Sequence, residues 1–307
     1  MEIRNHQILR QTSVSSSQRV FSTALESDLP TDTFHKTVPV EDDCPGISGL
    51  ARFSRTRAVG VRDAKLESAD KRLMLIHNAS GEVEDLNVDW SKTGRPRDLE
   101  AITPGKGRNS YLAVEGSSFG EHKARLFDLK VTSKGGESRR SFQLPEFGQE
   151  IEGLLTVPNK DGSQTVLFGG RGDEKGTGRV YWGNLSEDGL NFSSEGLKGQ
   201  QIEGPDLGPG RRSISDLAAD NQGGVWATAA VDEGDDGPFT SAVYRIGNLS
   251  GNGSKPLELD FKSDGFTIPG TKAEALTFAS DGSLVMGSDN ESRGGRLESF
   301  SIIDRTV

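Results

Sequence analysis

The chain contains a single cysteine, Cys44, so no intrachain disulfide can form. Asp42, Asp43 and Pro45 surround it, and neighbouring carboxylates raise rather than lower a thiol pKa, which argues against a nucleophilic role. Histidine is scarce as well. His6, His35, His77 and His122 are the only four, and no HxH, HExxH or CxxC spacing occurs, so the usual zinc sites are excluded. No stretch approaches the roughly eighteen consecutive apolar residues of a membrane-spanning helix, and no membrane partner is expected. The N-terminal segment MEIRNHQILRQTSVSSSQ has no apolar core of a signal peptide; a cytoplasmic location is therefore expected, and Met1 argues against a processed form. Excess basic charge is absent too. The net charge of -10 repels a phosphate backbone, so no nucleic-acid partner is expected.

Apolar residues make up only 32% of the chain, while glycine is abundant at 39 residues. Short strands joined by glycine turns account for both figures, and recurrent apolar strands over residues 47–304 argue against wholesale disorder. What recurs is a short triplet: Ser48-Gly49-Leu50, Glu100-Ala101-Ile102, Glu152-Gly153-Leu154, Ser215-Asp216-Leu217 and Glu274-Ala275-Leu276, at spacings of 52, 52, 63 and 59 residues. A strand-built repeat of about 50–60 residues is the mark of a propeller. The fold class expected is all-β, a β-propeller of four-stranded blades, with five blades favoured by the five triplets and six as the alternative. The second repeat reads as strands 98–103, 110–114, 124–131 and one starting at Ser141, and the others follow the same order.

The fifth repeat stops one strand short, so the ring should be closed by a strand from the N-terminus, which hides the open edge. Gln7-Ile8-Leu9-Arg10 is the candidate, leaving residues 11–46 as a strap or part of a sixth blade. The organisation expected is a single domain: residues 1–46 as closing strand and strap, 47–307 as the propeller.

Because successive strands in a blade are antiparallel, first-strand starts and second-strand ends lie on one face. The starts are Ser48, Glu100, Glu152, Ser215 and Glu274; the ends are Asp63, Glu115, Arg171, Asp232 and Asp289. Glu100, Glu152 and Glu274 should point toward a common channel mouth, where three carboxylates cannot all stay ionised without a counter-charge. A divalent cation, pairing with Arg171, or shared protons at raised pKa would each resolve this. Oxygen-only ligands favour Ca²⁺, Mg²⁺ or Mn²⁺. Alternatively the acids only hydrogen-bond backbone amides of the next blade and lock the ring, or the repeats are misaligned.

The segments Asp98-Leu99-Glu100-Ala101-Ile102, Ile151-Glu152-Gly153-Leu154 and the run from Ala273 to Glu291 resemble the phytase-like and SdiA-regulated-like propeller proteins and, more distantly, the SMP-30/gluconolactonase type. The resemblance spans roughly residues 46–304 and rests on short motifs. In the SMP-30-like group an inner-strand acid and Asn or Asp residues of other blades hold a divalent cation; by position Glu152 matches, with Glu100 and Glu274 beside it. Ser48 and Ser215 depart from that pattern, and phytase-type basic clusters are missing, Arg171 with Arg211 and Arg212 being the nearest substitute.

The resemblance implies a divalent-cation-dependent hydrolase of a lactone, ester or phosphoester. Glu100, Glu152 and Glu274 would hold the metal, Asp289 or Asp232 would act as general base, and Arg171 would steady an anionic substrate. Asp63, Glu115, Ser48 and Ser215 complete the expected substrate-binding set. The partner expected is a small-molecule substrate or ligand, on a monomer. Two other readings stand beside this one: a non-catalytic propeller binding a protein or ligand on its rim, and a metal-free biosynthetic catalyst using the funnel. The glycines of Gly169-Gly170-Arg171-Gly172 follow a strand and open no helix, so they are not a phosphate loop.

Overall fold

Each triplet lies at the start of the innermost strand of one blade or, in the fourth, within it. The computed structural model describes residues 35–40, 46–62, 71–116, 123–172, 176–231, 234, 237–260, 265–291 and 294–301. Strand β1 (His35–Pro39) comes first in the chain and is used last in the ring. Blade one is β2 (Gly49–Arg52), β3 (Arg57–Val61), β4 (Leu73–His77) and β5 (Val83–Leu86). After β6 (Val88–Asp89), blade two runs β7 (Leu99–Pro104), β8 (Ser110–Glu115), β9 (Arg125–Thr132) and β10 (Gly135–Gln143), with β6 parallel on its outer edge. Blade three is β11 (Ile151–Pro158), β12 (Gln164–Gly170) and β13 (Thr177–Leu185). Its outer position is shared by β14 (Leu190–Asn191) and β15 (Gln200–Glu203), both pairing with β13.

Blade four repeats that device. β16 (Arg211–Ala219), β17 (Gly224–Val231) and β18 (Thr240–Leu249) carry β19 (Leu257–Leu259) and β20 (Gly265–Pro269) side by side on β18. A third strand of nine or ten residues is long enough for two short outer partners. Blade five is β21 (Ala273–Phe278), β22 (Leu284–Asp289) and β23 (Gly295–Phe300), completed by β1 in antiparallel register, Val38 opposite Leu297.

Five blades form, as the triplets imply, and an N-terminal strand closes the ring. The closing strand is His35–Pro39, inside the stretch assigned to the strap; the expected Gln7–Arg10 lies outside the described residues. In blade two the outer strand starts at Gly135 rather than Ser141. Gly135 takes φ 130° just after β9 ends, a conformation open to glycine, and a register shift between Ser138 and Arg140 keeps the longer strand on its partner.

The core lies between blades. Val59, Leu75 and Phe127 pack blade one on two; Leu126, Leu154 and Phe168 pack two on three; Leu167, Leu217 and Ile246 pack three on four. Val243, Phe266 and Met286 join four to five, and Ile47, Met74 and Val285 join five to one. All are nearly fully buried, each stabilising by about 1.5–3 kcal/mol. Period-two alternation along each strand supplies one face to each neighbouring blade.

At the axis the inner strands touch. A Cβ on Gly49 would lie 2.6 Å from the Ala101 Cα, and one on Gly153 would lie 2.9 Å from Leu217 Cγ. The middle residue of the triplet is therefore small: Gly49, Ala101, Gly153 and Ala275. Blade four departs from this, with Asp216 at the same place. Asp216 is fully buried, and its carboxylate accepts the backbone N–H of Leu276 at 2.7 Å and of Leu217 at 2.8 Å. The N–H groups of Leu154 and Leu50 also donate to it. One side chain thus collects inward-facing amides from blades one, three, four and five and closes the axis.

Candidate functional site

The end of the axis where the inner strands begin is a mouth lined by charge. Register shifts between Leu99 and Ala101, Ile151 and Gly153, and Ala273 and Ala275 leave Glu100, Glu152 and Glu274 unpaired in their ladders. A bulge of this kind re-aims a side chain. Blade one has no such shift: Ser48 precedes β2 and its N–H donates to Val61 O at 3.1 Å.

Glu152 and Glu274 come together on Arg212, whose Nη1 lies 3.4 Å from Glu152 Oε2 and 3.2 Å from Glu274 Oε1. Arg171, from the end of β12, reaches Glu152 Oε1 at 3.4 Å and Glu150 Oε2 at 3.1 Å. Lys272 Nζ sits 3.1 Å from Glu274 Oε1 and also pairs with Glu291. The result is an alternating chain of charge across blades three, four and five: Glu150, Arg171, Glu152, Arg212, Glu274, Lys272, Glu291.

Burial sets the acidity of the two central carboxyls. It pushes Glu274 up to about 7, assisted by the negative charges of Asp289 and Glu152 and opposed by Lys272 and Arg212. Burial also raises Glu152 above the usual range, with Arg212 and Arg171 pulling it back and Glu150 adding to the rise. Glu274 is thus poised to hold or release a proton near neutrality. Deeper on the axis, burial drives the Asp216 carboxyl well above the ordinary range against the pull of its backbone donors.

The remaining expected site residues divide. Asp289 borders the mouth: its Oδ1 accepts the Glu291 N–H at 3.0 Å, and its carboxylate fills the space above Gly46, where a Cβ would lie 2.6 Å from Oδ2. Glu100 lies over its own blade, with Oε1 2.7 Å from where a Cβ on Gly116 would be. Glu115 is buried in a bidentate contact with Arg125, at 2.7 and 3.2 Å, and holds the β8–β9 edge. Ser215 is buried, with no partner for its Oγ. Asp63 and Asp232 lie outside the described residues.

The oxygens of Glu152 and Glu274 face two guanidinium groups and an ammonium. Among the described residues, no group of three or more His, Cys, Asp or Glu is arranged to hold a metal ion. Of the three ways to neutralise the acids, the geometry displays pairing with cations and a raised pKa.

Glu150, Lys272 and Glu291 were not singled out by the sequence, and Arg212 was noted only as a stand-in for a basic cluster. Glu150, Lys272 and Glu291 lie two positions from Glu152, Glu274 and Asp289. Extending the strand alternation one step past each strand end would have found them. Arg211 faces the other way and pairs with Asp206.

No protein-family model matches the chain, and no curated protein matches it. Solved structures do. A thermostable family-43 glycoside hydrolase is 13% identical with a TM-score of 0.51, over 88% of this chain and 94% of its own. An endo-arabinase from Bacteroides thetaiotaomicron VPI-5482 is 12% identical with a TM-score of 0.48, over 88% and 98%. A glucose dehydrogenase is 10% identical with a TM-score of 0.49, over 87% and 100%. The chain is a five-bladed β-propeller. At these identities the likeness reaches the fold and no further.

Proposed function

We propose that the protein is a hydrolase of a small lactone, ester or phosphoester, working by acid–base chemistry at the charged mouth. The observation that carries this is Glu274: a buried carboxyl brought to about 7 and held against Arg212 and Lys272. A carboxyl so tuned delivers a proton to a leaving group at neutral pH, whereas an ordinary glutamate is already ionised. Glu152, on the same guanidinium, or Asp289 at the rim takes the proton of the attacking water. Arg171, more exposed than Arg212, pairs with an anionic group of the substrate. The motif resemblance to phytase-like and SMP-30-type propellers points to the same class of reaction. The cation that this resemblance implies has no part in this scheme, because Glu152 and Glu274 are engaged with Arg171, Arg212 and Lys272.

The test is a panel of chromogenic esters, phosphoesters and lactones assayed with EDTA present. Turnover should fall by about 10²–10⁴ in Glu274→Gln, and the inflection of kcat/KM near neutral pH should disappear with it. Turnover unchanged in Glu274→Gln would overturn the assignment. So would activity abolished by EDTA and restored by Ca²⁺, Mg²⁺ or Mn²⁺.

A further inference from the structure

The axis opens at both ends, and the charged mouth is one of them. At the other end of the axis, behind the Asp216 closure, lies a cup of about 490 Å³. That volume falls within the range of small-molecule sites, about 300–1,000 Å³. Its floor is the third residue of four triplets, Leu50, Ile102, Leu217 and Leu276, each at most 2% exposed. Two residues further along the inner strands, Pro104, Ala219 and Phe278 make apolar walls, and Arg52 occupies the same level in blade one. The charged residues lining the cup are Arg52 and Lys106, with no Asp or Glu among them. In a chain of net charge -10, a cavity whose lining charge is purely cationic among the described residues attracts anions. Lys106 also feels Asp161 on the neighbouring loop, so Arg52 is the stronger anchor.

We propose that this cup is a second, separate binding site for a small amphipathic anion, an aliphatic or aromatic carboxylate whose apolar body rests on the leucine floor and whose head meets Arg52. The inference does not depend on hydrolysis at the opposite mouth. The floor supplies the hydrophobic contact and excludes water; the single guanidinium at the wall orients the molecule head outward. Thr156 and Asn159, from blade three, also line the cup.

Octanoate titrated into the full chain by calorimetry is the direct test, with octanamide as the uncharged control. Saturable binding with one molecule per chain is expected, weaker for octanamide. Arg52→Gln, at an exposed position, should raise the Kd for octanoate about ten-fold or more while leaving octanamide unaffected. Ala219→Trp, which fills the cup, should abolish both. Trp226, whose ring centroid is 6.3 Å from that of Phe278, gives an independent fluorescence readout at the wall. Absence of saturable octanoate binding overturns the proposal. Equal binding of octanoate and octanamide, insensitive to Arg52→Gln, overturns its anionic part, and binding that survives Ala219→Trp in a folded variant places the ligand elsewhere.

Discussion

Asp216→Asn exchanges one oxygen for one nitrogen at the centre of the ring and leaves shape almost unchanged. The carboxylate accepts N–H groups from Leu50, Leu154, Leu217 and Leu276. Asparagine keeps one acceptor oxygen and presents an NH₂, so half of these donors would then face a donor. Each buried N–H left without an acceptor costs about 1–3 kcal/mol, giving about 2–6 kcal/mol for the substitution. A total folding free energy of about 5–15 kcal/mol makes that a large fraction. With about 2.1 cal/mol/K of unfolding entropy per residue over 307 residues, Tm should fall by roughly 3–9 °C. Urea melts at neutral pH with an unchanged m-value are the assay. Asp216→Ala should be worse still, and should be partly rescued by chloride or nitrate, because the vacated centre is a nest of N–H groups. Wild type should show no such salt response. An Asp216→Asn protein within about 1 kcal/mol of wild type, less than one such orphaned N–H costs on average, would refute the reasoning. It would mean that burial keeps this carboxyl protonated and that the amides find their acceptors elsewhere.

Two other outcomes follow from the architecture. Glu274 has its pKa raised from 4.5 to about 7, so the folded chain holds a proton that the unfolded chain has already released. Its contribution favours folding below the lower value and is lost as pH rises to the upper one, by about 3 kcal/mol in all. Glu274→Gln should flatten stability over that window, and parallel urea-melt profiles for the two proteins would contradict this. Deleting residues 1–40 removes β1 and bares the edge of β23, with Leu297 losing its cross-strand partner Val38. The truncated chain should self-associate on size-exclusion chromatography, and a peptide spanning residues 34–41 should restore a single species; a truncated protein with wild-type Tm and elution would refute strand closure by β1.

The blades were legible because an apolar triplet returns at each inner strand and the turns between are rich in glycine. The closing strand was not. His35–Pro39 carries little apolar pattern, with Val38 buried and Pro39 at its end, and it becomes a strand by pairing with β23. Gln7–Arg10 reads as the stronger strand in isolation, but cross-strand pairing outweighs local pattern. At the mouth, the sequence placed Glu152 and Glu274 together and named Arg171 as a counter-charge, but missed the other residues that hold them. Lys272, Glu150 and Glu291 lie just outside the strands by apolar pattern, and bulges decide where they aim. The alternative in which an acid locks blade to blade through backbone amides is realised as well, but by Asp216, one residue beyond the aligned Ser215. An acid at the middle position of a triplet, where the other four carry Gly or Ala, was the signal for it.

The Asp216 closure also limits how such a ring can be built. At that level the axis has room for one carboxylate to serve amides from several blades. Five identical repeats would place either five carboxylates in mutual contact or five small residues around orphaned amides. Perfect symmetry is therefore incompatible with a single carboxylate serving amides of several blades, and a consensus redesign that averages the repeats would erase the residue that makes them close.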